Sequence, residues 1–274
     1  LIILKIYSLM IFLKEFYPKK NIQCSIPNSR RKFKNKKNKN VNFLLEKRFL
    51  WMKKYIKKKK FIIELGSGNG ASKDILKNKK IILTDIQKYS WIDKKVDMTK
   101  LNLEKKYKKK VDVFIINHAL HHCSNPAKLL KRISLYLKKN GLILINDPEI
   151  SFFFKFFLLI LKHEGWSFNV NVFNTKRALF KANNPWNANN AISYLLFNNE
   201  DKFHYNFNEY RIIKNQLSEF TIFLNSGGVV NNTFHLPVNR FLFDFLSFID
   251  KILIFLFPKI FALNRSVVLK KVKL

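Results

Sequence analysis

The stretch FIIELGSGNG (residues 61–70) runs from an apolar segment straight into spaced glycines, and its reading decides the fold. Phe61, Ile62 and Ile63 have the character of a short buried strand, and the residues after Gly70 fit a helix. A chain that passes from strand to helix this abruptly must turn sharply. Gly66, Gly68 and Gly70 allow it, because no Cβ restricts the backbone or blocks a ligand's approach. The helix behind them presents free N–H groups to a polar or anionic moiety. About twenty residues on, Asp85 ends the next apolar run, where a carboxylate accepts hydrogen bonds from both hydroxyls of a ribose. Loop, helix start and acid in this order point to a nucleoside-bearing cofactor. Gly66, Gly68 and Ala71 also satisfy the looser dinucleotide pattern G-x-G-x-x-G/A. Glu64 argues against that alternative, because a carboxylate two residues before the first glycine would repel a pyrophosphate but could bind a cationic amine or orient the loop.

Outward from this stretch, short apolar runs alternate with helical ones: IILTD at 81–85, VDVFIIN at 111–117 and LILIN at 142–146, with a Pro126-initiated helix over 126–138. Alternation of this kind specifies βαβ units and a parallel sheet, and unbroken apolar strands suit a sheet covered on both faces. Asp97-Met98 follows a third short strand, placing an acid and an apolar side chain where an adenine edge and face could lie. Upstream, 42–57 reads as a helix leading into the core and 14–40, basic with Pro18 and Pro27, as a linker behind an apolar helix over 1–13. After about 150 the alternation stops. Residues 151–228 are expected to hold a cap facing the acceptor and a helix over 208–226, halted at Gly227-Gly228. The remainder, 229–274, is expected to close the sheet with strands at 229–236 and 266–272 around a helix at 241–257. The domain reading is thus 1–40, 41–150, 151–228 and 229–274.

Of the 274 residues 47% are hydrophobic, which excludes a wholly disordered chain, and two cysteines are too few for a disulfide framework or a Cys-rich zinc site. The formal charge of +34 invites a polyanionic partner. The excess is nearly all Lys, however, accompanied by Asn, Ile and Phe, residues with A/T-rich codons, so genome composition accounts for much of it. The basic runs at Arg30–Lys39 and Lys57–Lys60 also lack the interleaved aromatics of a base-stacking platform. The apolar runs at 1–13 and 152–161 fall short of the roughly 18 to 20 residues a membrane span needs. The stretch 241–257 carries a stripe of Asp244, Ser247, Asp250 and Lys251, as a core or interfacial helix would. The amino terminus lacks the pattern of a secretory signal. The expected location is therefore cytoplasmic, with contact at the inner membrane face left open.

These features resemble the class I S-adenosylmethionine-dependent methyltransferases of the type-11 group. The resemblance is carried by ELGSGNG at 64–70, TD at 84–85, VDM at 96–98, VDVFIINHALHH at 111–122 and LKRISLYLKKNGLILINDP at 130–148. It covers residues 42–150 well; Asn140-Gly141 departs from it where two glycines are usual. HEGWSF at 163–168 and NPWNANNAISYLLF at 184–197 resemble a branch of the group without a settled substrate. The resemblance implies a doubly wound, mostly parallel seven-stranded sheet of the Rossmann-like methyltransferase fold with a cap inserted after the fifth strand. It also implies S-adenosylmethionine as cofactor. Glu64, Gly66, Ser67, Gly68 and Gly70 would hold its methionine part, Asp85 and Ile86 its ribose, and Asp97 and Met98 its adenine, with Asn117 near the methyl group. The implied activity is methyl transfer to a small-molecule, saccharide or lipid-linked acceptor.

The run NHALHHC (117–123) would then end the fourth strand at the ligand-binding edge. His118, His121 and His122 are the catalytic candidates, either touching acceptor or cofactor or packed behind them, with Asp147 and Glu149 as alternatives on the same rim. No metal is expected, since no acid of defined geometry is apparent beside them and transfer from a sulfonium needs no Lewis acid. A nucleic-acid acceptor is disfavoured, because N-H-A-L replaces the N-P-P-aromatic run of enzymes that methylate base amines. A non-catalytic membrane or interaction module remains the other alternative, and the oligomeric state stays open.

Overall fold

The computed structural model describes residues 14–18, 25–162, 164–181, 184 and 186–273. The apolar helix expected over 1–13 and Cys24 lie outside the described residues.

Seven strands make one sheet: β1 (Ile62–Leu65), β2 (Ile81–Asp85), β3 (Lys94–Lys95), β4 (Val111–Asn117), β5 (Leu137–Pro148), β6 (Tyr210–Ser218) and β7 (Asn264–Lys271). Their spatial order is β3-β2-β1-β4-β5-β7-β6. All neighbours up to β5 are parallel, and β7 runs antiparallel between β5 and β6. The expected doubly wound, seven-stranded Rossmann-like sheet is present. Register decides which side chains can meet. Leu65 pairs with Ile116 and Thr84, and Asn117 with Asn146, so the residues that leave β1, β2, β4 and β5 emerge along one carboxyl edge.

β4 shows why the sheet is buried on both sides. Its alternating side chains send Phe114 and Ile116 to one face and Val113 and Ile115 to the other. On the first face α4 (Pro126–Tyr136) and α6 (Ile192–Phe197) supply Leu129, Leu130, Ile133, Ile192 and Leu196. On the second, α2 (Lys39–Leu50) and α3 (Ala71–Leu76) supply Val41, Leu45, Phe49, Ala71 and Leu76. Two buried Arg–Glu pairs tie the carboxy-terminal part to this core: Arg48 to Glu219 at 2.6 Å, and Arg265 to Glu149 at 2.6 Å. Removing one partner of such a pair strands the other charge in a dry interior, at a cost of about 3–5 kcal/mol.

Three expectations are corrected. The 14–40 segment is not merely a linker, since it contains α1 (Ile26–Asn35), capped by Ser25 Oγ accepting from the Asn28 N–H and started by Pro27 in its first turn. The helix expected over 208–226 is strand β6, followed by a short helical turn at Thr221–Leu224. The strand expected at 229–236 is an irregular loop, and the sheet's outer place beside β7 is taken by β6 instead. Asn140, which replaces the first glycine of the usual pair, takes the left-handed φ of +60° itself, a conformation asparagine tolerates.

Helix α7 (Arg240–Leu256) turns only part of its stripe inward, since Asp244 and Lys251 stay exposed. Ser247 and Asp250 are buried, Asp250 accepting hydrogen bonds from the Phe220 and Thr221 N–H groups. Phe241 and Phe255 are meanwhile 81% and 85% exposed, with Phe245, Phe248 and Ile252 outward on the same helix. Among the described residues no helix is long and apolar enough to cross a membrane.

Candidate active site

A cleft of about 650 Å³ opens at the carboxyl edge of β1, β2 and β4. Of the residues singled out from sequence, Glu64, Gly66, Ser67, Gly68, Asp85, Ile86, Asp97, Met98, Asn117, His118, His121 and His122 all line it. Gly70 does not line it; its backbone forms the turn into α3.

The loop is shaped by its surroundings. Gly66 has φ +67°, and a Cβ there would sit 2.6 Å from Ala119 Cβ, so any side chain would collide with the chain leaving β4. Gly68 has φ +48° and donates its N–H to Asp85 Oδ2 at 2.8 Å, which clamps the loop against the end of β2. Asp85 Oδ1 accepts from the Gln87 N–H at 3.1 Å; a carboxylate has lone pairs left for two hydroxyls. Burial raises the Asp85 pKa against these donors. Asp97 Oδ1 takes the Thr99 N–H at 2.8 Å and the Thr99 hydroxyl at 2.6 Å, fixing the carboxylate at the cleft wall beside Met98.

Glu64 is buried at the base of the loop with Ser72 donating to its Oε2. Burial pushes its pKa up to about 7 despite the serine hydrogen bonds, with Asp85 adding to the rise. A carboxylate held this reluctantly in its ionised form is suited to an incoming cation. The acidic side chains and the Gly66 cradle fit the amino-acid and nucleoside ends of S-adenosylmethionine.

Toward the acceptor side, His118 has a left-handed φ of +48° and donates its N–H to the Asn146 carbonyl at 2.6 Å. Its buried Nε2 has no hydrogen-bond partner, and burial followed by the Arg48 charge holds its pKa well below the usual histidine range. His121 Nδ1 lies 2.8 Å from Asp147 Oδ1. Burial lowers the His121 pKa, but Asp147 and Glu164 outweigh it and the net direction is up. His122 Nδ1 faces the Asn187 carbonyl at 3.1 Å, and burial, then His121, push its pKa down to about 4. Burial pushes the adjacent Cys123 up to about 12, which makes it a packed thiol rather than a nucleophile.

Two sequence expectations change here. Glu149 is not a rim base, because both its oxygens are held by Arg265 at 2.6 and 2.9 Å in the interior. The histidines are also not without nearby acids. Asp147, which Ser193 Oγ and the Leu120 N–H also bind, backs His121, and Glu164 arrives from beyond α5 (Phe152–Leu161) to face His121 and His122. Sequence reasoning missed Glu164, Trp186 and Arg48, whose positions depend on non-local packing. It also missed Ile26 and Ser29, which α1 brings over the loop as Arg30 donates to the Asn69 carbonyl at 2.7 Å. The Ser25–Pro27 cap was the available signal for them.

The sequence profile of the methyltransferase domain family matches residues 30–205. No curated protein sequence matches the chain. Among solved structures it is similar to an S-adenosylmethionine-dependent methyltransferase from Archaeoglobus fulgidus, at 16% identity over 87% of this chain and 98% of that one, with a TM-score of 0.50. It is also similar to the YcgJ protein from Bacillus subtilis, at 11% identity over 81% and 97% with a TM-score of 0.42. The plantazolicin methyltransferase BpumL is similar at 14% identity over 90% and 91%, TM-score 0.42. At such identities the likeness to the archaeal enzyme speaks to fold alone. The profile spans well over half of the chain, which therefore belongs to the methyltransferase domain family, as a class I S-adenosylmethionine-dependent methyltransferase.

Proposed function

We propose that the protein methylates an apolar, lipid-linked acceptor presented at an anionic membrane surface. The observation that carries this reading is the wall beyond the histidines, built from Phe154, Phe157, Leu158, Phe180, Trp186 and Phe223. Among the described residues lining the cleft Arg48 is the sole Lys or Arg, and Glu219 neutralises it. A polyanionic acceptor would find no cation there, which disfavours nucleic acid despite the overall charge.

In this reading Glu64 takes the cofactor's ammonium, the Gly66–Gly68 backbone follows its chain, Asp85 its ribose, and Asp97 with Met98 its adenine. Bound there, the sulfonium supplies a methyl group already activated for in-line displacement. The chain's own contribution is orientation and exclusion of water: the apolar wall holds the acceptor's body, and His118 Nε2 accepts a hydrogen bond from its protic head. Held neutral by burial, His118 is better suited to hold that group than to keep its proton, which leaves for solvent as the methyl group is transferred.

The outer surface supports delivery from a membrane. The apolar mouth includes the exposed Leu161 of α5, whose Phe156 and Ile160 are exposed as well, and α7 shows a second apolar face. A net charge of +34 complements anionic headgroups. Incubating the protein with methyl-labelled S-adenosylmethionine and a total cell extract tests this. Label is expected in the organic-solvent phase; label confined to water-soluble products would refute the lipid-linked acceptor.

A further inference from the structure

His121, His122 and Glu164 are the described residues that gather three metal-ligating side chains, with their ligand atoms within 4.8 Å of one another. His121 Nε2 lies 3.5 Å from Glu164 Oε2, and His122 Nε2 lies 3.6 Å from Glu164 Oε1. Each separation, to a different oxygen of the carboxylate, is close to the roughly 3.4 Å between neighbouring ligands of a tetrahedral zinc ion with bonds of about 2.0–2.1 Å; with Glu164 offering one oxygen beside the two imidazoles, three of four positions are filled.

The outer contacts favour the same conclusion. His121 Nδ1 faces the Asp147 carboxylate and His122 Nδ1 faces the Asn187 carbonyl. Both partners are acceptors, so in a neutral ring Nδ1 carries the proton and Nε2 the lone pair. Two lone pairs then meet the two oxygens of one carboxylate, whose orientation Asn190 fixes by donating to Oε2 at 3.1 Å. Such an array offers three ligand atoms to one divalent ion.

We propose that His121, His122 and Glu164 bind one divalent transition-metal ion whose remaining position opens on the acceptor side of the cleft. Two imidazoles and one carboxylate suit zinc and its neighbours, and an open fourth position is the mark of a site that meets a ligand rather than one that only braces the fold. The ligand class is an acceptor hydroxyl or enolic oxygen, a step that rests on the methyl-transfer reading above and narrows it. Trp186, whose ring lies 6.3 Å from that of His122, and Pro148 border the cleft beside the site.

The test is equilibrium dialysis of the full chain against zinc at about pH 7.5, read by metal analysis, with cobalt(II) substitution read by visible absorption. One zinc per chain is expected, together with the intense visible bands of four-coordinate cobalt. Glu164→Gln and His122→Ala should each weaken zinc binding at least about a hundredfold. Asp147→Asn, which acts through His121, should weaken it about 10- to 100-fold. Binding of S-adenosylmethionine, measured separately, reports that each variant is folded, and His204→Ala serves as a control away from the cluster. No stoichiometric zinc in the wild type, or equal binding by wild type, Glu164→Gln and His122→Ala, overturns the proposal. Loss of cofactor binding with zinc retained would instead sink the methyl-transfer assignment of the cleft and leave the metal site standing.

Discussion

Glu64 concentrates the cofactor question in one side chain, and its titration can be followed. The groups that face it are Ser72 and Ser67, which favour the carboxylate, Asp85, which disfavours it, and Lys73, which favours it. Burial exceeds them all and places the pKa at about 7 in the folded protein. The folded value is raised above the unfolded one. The ligand-free protein is therefore helped by a protonated Glu64 at low pH, and loses stability on the order of 3 kcal/mol as pH rises from about 4.5 through about 7. Cofactor binding has the opposite sign, because an ammonium needs the carboxylate. Affinity for S-adenosylmethionine, followed by isothermal titration, is expected to fall on the order of tenfold or more from about pH 7.5 to about 5.5. Glu64→Gln should bind weakly at both pH values and lose this slope; a wild-type slope retained in the variant would remove Glu64 from the role. Glu64 and its glycines were legible because they act within a few residues of one another. Glu164 was not, since nothing near it in sequence marks a carboxylate that must cross to the far side of a cleft.

Elements were legible where their periodicity was intact and local. β1, β2, β4 and α4 appear at or near their expected bounds because each is an unbroken apolar run or a Pro-started helix. β6 was misread for a physical reason. A register shift between Ile212 and Lys214 interrupts its two-residue alternation, and its partner β7 lies about fifty residues on, so the local pattern matched a helix better. In α1 the linker-like composition concealed a proline that starts a helix rather than breaking one. α7 was expected to be a helix, yet only packing reveals that Ser247 and Asp250 face inward. That inversion makes a specific expectation for membrane contact. In co-sedimentation the protein should bind vesicles of mixed anionic and zwitterionic phospholipid better than purely zwitterionic ones. Replacing Phe245 and Phe248 together by Ser should weaken partition on the order of 10- to 100-fold, since each ring contributes about half of a full aromatic burial. Unchanged partition would remove α7 from the contact while leaving catalysis untouched.

At the scale of the molecule, the cleft is not the property of one segment. Its lining runs from Ile26 and Ser29 on α1, through the loops after β1, β2 and β4, to Glu164 and Trp186, and on to Val229 and Phe234. The carboxy-terminal chain that completes this wall is also structural: β7 inserts between β5 and β6, and the Arg48–Glu219 and Arg265–Glu149 pairs bind early and late residues across the sheet. Local opening of residues 151–228 without loss of the sheet would have to break the Arg48–Glu219 pair first, at a cost of about 3–5 kcal/mol, a large part of a domain's net stability. The expected consequence is that thermal unfolding is a single transition and that the cofactor's product, S-adenosylhomocysteine, moves the whole of it. At about one hundred times its dissociation constant a ligand bound only by the folded state adds about 2.7 kcal/mol. For a chain of this size that corresponds to a rise in Tm of about 5 °C. Calorimetry with and without the nucleoside checks it. Two transitions of which only one responds would mean that residues after 150 fold independently of the cofactor core, and that the acceptor wall is an appended unit rather than part of the same cooperative structure.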